Sequence, residues 1–324
     1  MQVPTIDDVN RAAERIRGEA VRTPLLRSDA LDQMVGKKVF LKPECLQRTG
    51  SFKFRGAYNA ISQLSKDECD KGIVASSSGN HAQGIAEAAR LFGANATIIM
   101  PSDAPKMKVH RTQASGAEIV YYDRASEDRD LAVAEFMNEK GGVFIHPFNN
   151  PNVIAGQGTV GLEIAEDLQN MGLELDHMVI CTGGGGLTSG VTLAIKHHFP
   201  DAKIYSSEPA GFDDYARSLK SGSIETNAST AGSVCDAVIS PSPGPIGFEI
   251  NRKHLSGGLV VTDEEALDAV RFAFEELKLV VEPGGAVALA SVIKYAPEWD
   301  GDVVALTLSG GNVDPAMFDR AISN

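Results

Sequence analysis

The chain has 324 residues, 43% of them hydrophobic and 23% charged, which suits a soluble globular protein of one large domain or two ordinary ones. Its formal charge of −13 argues against a nucleic-acid partner, whose phosphates would be repelled. No apolar run reaches the roughly 20 residues of a membrane span, and the start lacks the basic and apolar regions of a secretory signal, so a cytoplasmic protein without a membrane partner is expected. The scattered cysteines Cys45, Cys69, Cys181 and Cys235 have no metal-type spacing and read as reduced thiols.

Along the chain, apolar strand-like runs alternate with helical patterns. Ile73-Val74-Ala75 reads as a strand, and His81 to Phe92 as a helix with Ala82, Ile85, Ala89 and Phe92 at helical spacing. Ala96 to Met100 and Glu118 to Tyr122 are further strands, and Gly142 to His146 follows a helical stretch rich in Ala and Glu. His177 to Cys181 runs into Thr182-Gly183-Gly184-Gly185-Gly186, and Val191 to His198 continues a helix. Ile204-Tyr205-Ser206 is a short strand. Ser240 to Pro245, with its prolines and glycine, is expected as a flexible loop. Thr262-Asp263-Glu264-Glu265 is a capping box that opens an amphipathic helix carrying Leu267, Val270, Phe274 and Leu277. Val303 to Leu308 is the last strand. This order predicts an α/β fold of mainly parallel sheets covered by helices.

Four segments carry chemistry. Lys53 lies between Phe52 and Phe54, where a solvated charge is out of place. A lysine desolvated in this way loses basicity and becomes a Schiff-base nucleophile. Gly183 to Gly186 stand between a strand and a helix, where backbone N–H groups can approach an anion at the helix N-terminus. A plain tight turn reads equally well there. A dinucleotide fingerprint is a weak third reading: Glu208 lies 22 positions after Gly186, but Thr188 and Ser189 occupy both positions where the last small residue of that motif belongs. Ser76-Ser77-Ser78-Gly79-Asn80-His81 offers hydroxyls and amides for a carboxylate and a ring oxygen, or only a capped polar turn. Ser309-Gly310-Gly311-Asn312 follows the last strand, at the carboxyl end where open α/β sheets bind ligands. Together the four segments point to a pyridoxal phosphate (PLP) site.

These segments resemble those of the PLP-dependent serine/threonine dehydratase family, of the tryptophan-synthase-β-like fold type II, in its serine racemase and 3-hydroxyaspartate dehydratase branch. The resemblance covers nearly the whole chain, including Lys42-Pro43-Glu44, Ser51-Phe52-Lys53-Phe54-Arg55-Gly56-Ala57, Ser78-Gly79-Asn80-His81, Ile154-Ala155-Gly156-Gln157-Gly158-Thr159, Glu282-Pro283 and Ser309-Gly310-Gly311-Asn312. It implies two domains, a large PLP-binding domain of residues 1–68 plus 143–324 and a small mobile substrate domain of residues 69–142. It also implies that Lys53 forms the Schiff-base link, Phe52 flanks the ring, Asn80 bonds the ring hydroxyl, Gly183, Gly184, Gly185 and Gly186 cradle the phosphate, and Ser309 bonds the pyridine nitrogen. Ser77, Ser78, Asn80 and His81 would surround the substrate carboxylate, and Arg129 would meet a second carboxylate.

The implied activity is that of an ammonia-lyase. Lys53 removes the Cα proton of a small β-hydroxy α-amino acid, the hydroxyl leaves, and the imine hydrolyses to a 2-oxo acid and ammonia. A racemase of serine or aspartate type with side dehydratase activity is the alternative, and a non-catalytic PLP- or nucleotide-binding protein a distant one. Threonine dehydratases of the family typically carry alanine where this chain has Ser78, whereas the racemase branch carries serine. Only 12 residues follow Asn312, so the C-terminal regulatory domain of the biosynthetic threonine enzymes is not expected. Glu208, the Phe212 carbonyl and Asp214 resemble the divalent-cation loop of the racemase branch and imply Mg²⁺, or Ca²⁺ or Mn²⁺. That branch's nucleotide effector site is matched at Gln83 and Lys108, while Ser115 stands where an aromatic ring is expected. A homodimer is implied as well.

Overall fold

The computed structural model describes residues 2–104, 106–123 and 126–323. Its strands are β1 (Leu26–Arg27), β2 (Lys38–Pro43), β3 (Ile73–Ser76), β4 (Ala96–Pro101), β5 (Glu118–Tyr122), β6 (Val143–Phe144), β7 (His177–Cys181), β8 (Lys203–Pro209), β9 (Leu255–Val261) and β10 (Val303–Leu308). They form a six-stranded sheet in the order β1-β2-β10-β7-β8-β9 and a four-stranded sheet in the order β5-β4-β3-β6. Every pairing is parallel except the short antiparallel β1–β2.

In the large sheet β7 and β10 are buried along their whole length, as parallel strands covered on both faces must be. Side chains alternate between the faces. Val39, Leu41, Val179, Leu306 and Leu308 pack against helices Asp263–Leu277 and Pro283–Tyr295 through Leu267, Val270, Val287 and Leu289. Phe40, Met178, Ile180 and Ala305 pack on the other side against helices Pro151–Asn170 and Gly186–His198 through Val160, Ile164, Val191 and Ile195. The predicted capping box is present: Glu265 N–H donates to Thr262 Oγ1 (3.1 Å) and Thr262 N–H to a Glu265 carboxylate oxygen (2.7 Å).

The small sheet has its own core. Ile73, Ala75, Ile98 and Met100 pack on helix Asn80–Leu91 and on helix Lys53–Ile61, through Ala82, Ile85, Phe54 and Ile61. Helix Lys53–Ile61 therefore lies under this sheet although it precedes residue 69 in sequence, and β6 carries the sheet to Phe144, beyond the boundary expected at 142.

Three helices meet through glycines. A Cβ on Gly156 would stand 2.6 Å from the Arg55 carbonyl oxygen, and one on Gly190 2.3 Å from that of Ile154. The glycines of the 154–159 stretch thus let helix Pro151–Asn170 seat directly on the backbone of the Lys53 helix.

Several elements differ from the sequence reading. The strand expected at 204–206 runs over Lys203–Pro209, and that expected at 142–146 shortens to Val143–Phe144. Pro245 is the first residue of helix Pro245–His254, so the expected loop ends at Gly244. Phe274, placed on a buried face, is 40% exposed and packs edge-on against Phe318. No helix among the described residues is long and apolar enough to cross a membrane.

Candidate active site

A cavity of about 790 Å³ opens at the carboxyl ends of β3, β7 and β10. This size suits a cofactor-sized ligand. It brings together Phe52, Lys53, Ser77, Ser78, Asn80, His81, Arg129, Gly183 to Gly186 and Ser309. Glu208, Phe212 and Asp214 lie outside its lining.

Lys53 is set by its neighbours on both sides. Ser51 forms an isolated antiparallel bridge with Gly310, and Phe52 N–H donates to the Ser309 carbonyl (3.2 Å), so the lysine loop is tied to the end of β10. Lys53 then begins its helix, and a Cβ on Gly84 would meet its carbonyl carbon at 3.2 Å. The Nζ donates to the Pro147 carbonyl (3.1 Å) and lies 5.1 Å from the Phe52 ring centroid. Burial pushes its pKa down to about 8, with Glu282 pulling in the opposite direction. The amine is thus close to the neutrality a nucleophile and base requires.

The glycine loop has no room for side chains. A Cβ would fall 2.4 Å from the Phe148 ring at Gly184, 2.0 Å from the Tyr215 hydroxyl at Gly185, and 2.9 Å from Gln157 Oε1 at Gly186. Gly185 also takes φ +88, and it caps helix Gly186–His198. What remains is a bare backbone cradle with helix N–H groups free to hold an anion. The Gln157 side-chain amide beside it is fully buried, and neither its oxygen nor its nitrogen has a protein partner among the described residues. A bare cradle and an orphaned amide fit a phosphorylated cofactor.

Asn80 is the centre of a network across the cavity. Its amide donates to Glu282 (2.5 Å) and its oxygen accepts from Asn312 (2.7 Å), which in turn accepts from Arg111 (2.6 Å). Lys108 pairs with Asp236, and both line the cavity. Burial, with Asp236 nearby, raises the Glu282 carboxyl to about 7, partly offset by Lys108 and Asn80. Glu282 and Gln157 stand within stretches already noted in the sequence without a role. The Pro147 carbonyl carries no sequence signal.

The remaining predicted residues divide. Ser77 Oγ accepts the Gly79 N–H (3.1 Å) and shapes the turn into helix Asn80–Leu91. Ser78 lines the cavity. His81 is buried and donates Nε2 to the Ile145 carbonyl (2.9 Å), and burial, with Lys53 adding to it, lowers its pKa to about 3. Its ring therefore serves the scaffold as a neutral group. Arg129 lines the cavity but pairs with its neighbour Asp130 (2.8 Å).

Glu208 is fully buried, and its two oxygens accept the N–H groups of Tyr215 and Ala216 (2.8 Å each) at the start of helix Asp214–Ser221. Asp214 accepts from Asn227 through Oδ1 (2.6 Å), while Oδ2 is buried without a partner among the described residues. Burial raises both carboxyls, and Asp214 adds to the rise at Glu208. No group of three or more His, Cys, Asp or Glu side chains poised for a metal occurs among the described residues.

Fold and site together define an α/β protein in which a bare glycine loop at a helix N-terminus, suited to an anion, shares a cavity with a desolvated lysine. Residues 16–310 match the model of the "Pyridoxal-phosphate dependent enzyme" family. The chain is 42% identical over 314 residues to the L-threo-3-hydroxyaspartate ammonia-lyase of a Pseudomonas species, covering 97% of both chains. It is 40% identical over 319 residues to the L-threonine ammonia-lyase of Thermotoga maritima, covering 98% of this chain and 78% of that one. The structure of maize serine racemase superposes with a TM-score of 0.93 at 36% identity, over 99% of this chain and 98% of that one. The chain belongs to the family of pyridoxal-phosphate-dependent enzymes, and its fold is their type II.

Proposed function

We propose that this chain is an ammonia-lyase for a β-hydroxy α-amino acid of the serine, threonine and 3-hydroxyaspartate group, releasing a 2-oxo acid and ammonia. The observation that carries the reading is the Lys53 amine, lowered to about 8 inside a cavity that also holds the glycine cradle and a helix N-terminus. The relatives named as ammonia-lyases support it. Gly183 to Gly186 would hold the phosphate, Asn80 the ring hydroxyl, Ser309 the ring nitrogen, and Phe52 one edge of the ring. Bound PLP supplies an electron sink for the charge left at Cα.

The chain's own residues do the rest. Lys53 takes the Cα proton on Nζ once its amine is free. The substrate carboxylate is held by the Ser77–Ser78 turn and the first N–H groups of helix Asn80–Leu91, where the dipole favours an anion. Ser309, a hydroxyl where an acid would protonate the ring nitrogen, favours elimination over transamination. Residues 69–142 act as a small mobile domain that closes over the substrate. The contacts Asn80–Glu282, Arg111–Asn312 and Lys108–Asp236, all spanning the two sheets' elements, suit a closed form.

A racemase is the second reading, favoured by Ser78, which lines the cavity and stands where the racemase branch carries serine. A divalent cation at Glu208, the Phe212 carbonyl and Asp214 belongs to the proposal. Two buried carboxyls, both raised by burial, and the Asp214 Oδ2 without a partner among the described residues support it. So does a cytoplasmic homodimer: the four cysteines are free, and exposed Leu46 and Val280 lie on segments that adjoin at Gly311.

The test is oxo-acid release from both enantiomers of serine and threonine and from all four 3-hydroxyaspartate isomers, with solvent-deuterium incorporation at Cα. Spectral change on amino-acid binding without oxo acid or exchange would leave only a binding protein.

A further inference from the structure

His146 has no part in the reading above, yet it builds the turn that faces Lys53. Beyond β6 the chain is pinned by Ile145, whose N–H donates to the Val74 carbonyl and whose own carbonyl accepts from His81 (2.9 Å each). It then turns over residues 146–149. His146 Nδ1 accepts two backbone N–H groups of that turn, from Phe148 (3.3 Å) and Asn149 (2.9 Å). A ring nitrogen that accepts two donors carries no proton, so the ring is neutral with its hydrogen on Nε2. Burial, with the nearby cations Arg129 and Lys53, lowers its pKa to about 4, against a small opposing pull from Asp130. Edge-on contacts with Phe144 (6.1 Å) and Phe148 (4.6 Å) hold the ring in place.

The turn delivers three contacts. The Pro147 carbonyl receives the Lys53 amine at 3.1 Å. The Phe148 ring occupies the space over Gly184. Asn149 Oδ1 accepts the Ile246 N–H (3.0 Å) at the start of helix Pro245–His254. One imidazole thus links the lysine, the glycine cradle and a third helix. A free lysine amine has many rotamers. A fixed carbonyl acceptor selects one of them, directing one N–H and with it the lone pair.

We propose that His146 is a positioning residue for Lys53: its Nδ1 folds the 146–149 turn so that the Pro147 carbonyl holds the free amine at one point of the cavity. This rests on reading Lys53 as the cofactor lysine and base. Three variants test it. His146→Asn places Oδ1 at the same branch point as Nδ1, and an Asn oxygen accepts such N–H groups in an Asx turn. His146→Phe keeps the edge-on ring without an acceptor, and His146→Leu supplies a second acceptor-free variant should Phe fail to fold.

In the full-length protein freed of cofactor, acetic anhydride labelling at pH 7 is followed by mass spectrometry, with Lys53 normalised to exposed Lys66. The carbonyl favours the ammonium form, so its loss lowers the Lys53 pKa further. A fall of about one unit raises the free amine, and the labelling ratio, about fivefold. The holoenzyme of His146→Phe should lose about tenfold in kcat with KM within about twofold, since the orientation of the base is lost and not substrate binding. His146→Asn should restore both readouts. Wild-type labelling and kcat in folded His146→Phe or His146→Leu overturn the proposal. So does His146→Asn failing like them, which would make ring packing and not Nδ1 the cause. If borohydride fixes the cofactor to another lysine, the Lys53 reading fails, whereas the labelling ratio still judges the turn.

Discussion

Arg55→Met would remove one cation from a buried charge network two residues beyond Lys53. Arg55 is fully buried and donates to both oxygens of Glu44 (2.8 Å each) and to both of Glu163 (2.6 and 2.9 Å). Lys42, also fully buried, pairs with Glu163 (2.7 Å) and donates to the Thr23 carbonyl (2.6 Å). In the variant Glu163 keeps Lys42, but Glu44 is left with the Thr23 hydroxyl and a long contact from Gln47. Leaving a buried charge uncompensated costs about 3–5 kcal/mol. For 324 residues, at about 2.1 cal/mol/K each, the unfolding entropy is about 0.7 kcal/mol/K, so the melting temperature should fall by about 6 °C.

Acid adds a signature to that loss. Burial raises the Glu163 carboxyl, but Arg55 and Lys42 more than offset it and hold it below its usual 4.5. A lowered carboxyl contributes stability above pH 4.5, and the contribution is lost as pH falls through the folded value beneath it. The variant has less of this contribution to lose, so the gap to wild type should narrow below about pH 4.5. Arg55→Lys, which keeps the charge without the bidentate fork, should fall between the two. Scanning calorimetry of the full-length protein from pH 7 to 4 decides it. A drop under about 2 °C, or a gap that widens in acid, refutes the reasoning.

Lys53→Ala should lose the absorbance of lysine-linked cofactor and at least about 10³ in turnover, since nucleophile and base vanish together; borohydride trapping on a different lysine contradicts the assignment. Gly185→Ala forces φ +88 on a side chain aimed at the buried Tyr215 hydroxyl, so equilibrium dialysis should find PLP bound at least about tenfold more weakly. Excess EDTA should lower the melting temperature and activity, and Asp214→Ala should behave like chelated wild type; at a cation concentration about 100 times Kd the lost stabilisation is about 2.7 kcal/mol. Unchanged melting in EDTA sinks the cation. Ser78→Ala should abolish racemisation and turnover of D-substrates while elimination from L-substrates survives, read by oxo-acid formation and deuterium at Cα. Equal loss for both enantiomers makes Ser78 a binding residue only.

The strands readable from sequence were those whose apolar runs need no tertiary help. Glu118–Tyr122, His177–Cys181 and Val303–Leu308 have the predicted limits because apolar β-formers fill them and turn residues or charges bound them. β2 ends in Lys42-Pro43, and β9 contains Gly257-Gly258, so neither announces itself. β8 runs on through Ser206, Ser207 and Glu208 because tertiary bonds satisfy the last two: Ser207 donates to the Val287 carbonyl at 2.8 Å, and Glu208 accepts from Tyr215 and Ala216. At the site, the glycines and Lys53 were legible because their chemistry is local. His81 lines the cavity, but its bond to the Ile145 carbonyl, 64 residues away, left no mark in the sequence. His146 and the Pro147 carbonyl depend wholly on such contacts.

The strand order sets a timetable for biosynthesis. β10 lies between β2 and β7, and its end carries Ser309 and the bridge that ties down Ser51. Some 260 residues separate β2 from this partner. At ribosomal rates of about 5–20 residues per second, the nascent β2 waits on the order of tens of seconds beside an unfilled slot. The lysine is made early and its pocket last, so a chain released before β10 emerges would have no tether for the lysine loop. Cofactor uptake would then wait for β10, and the open edges of β2 and β7 are where chaperones would be needed until that moment.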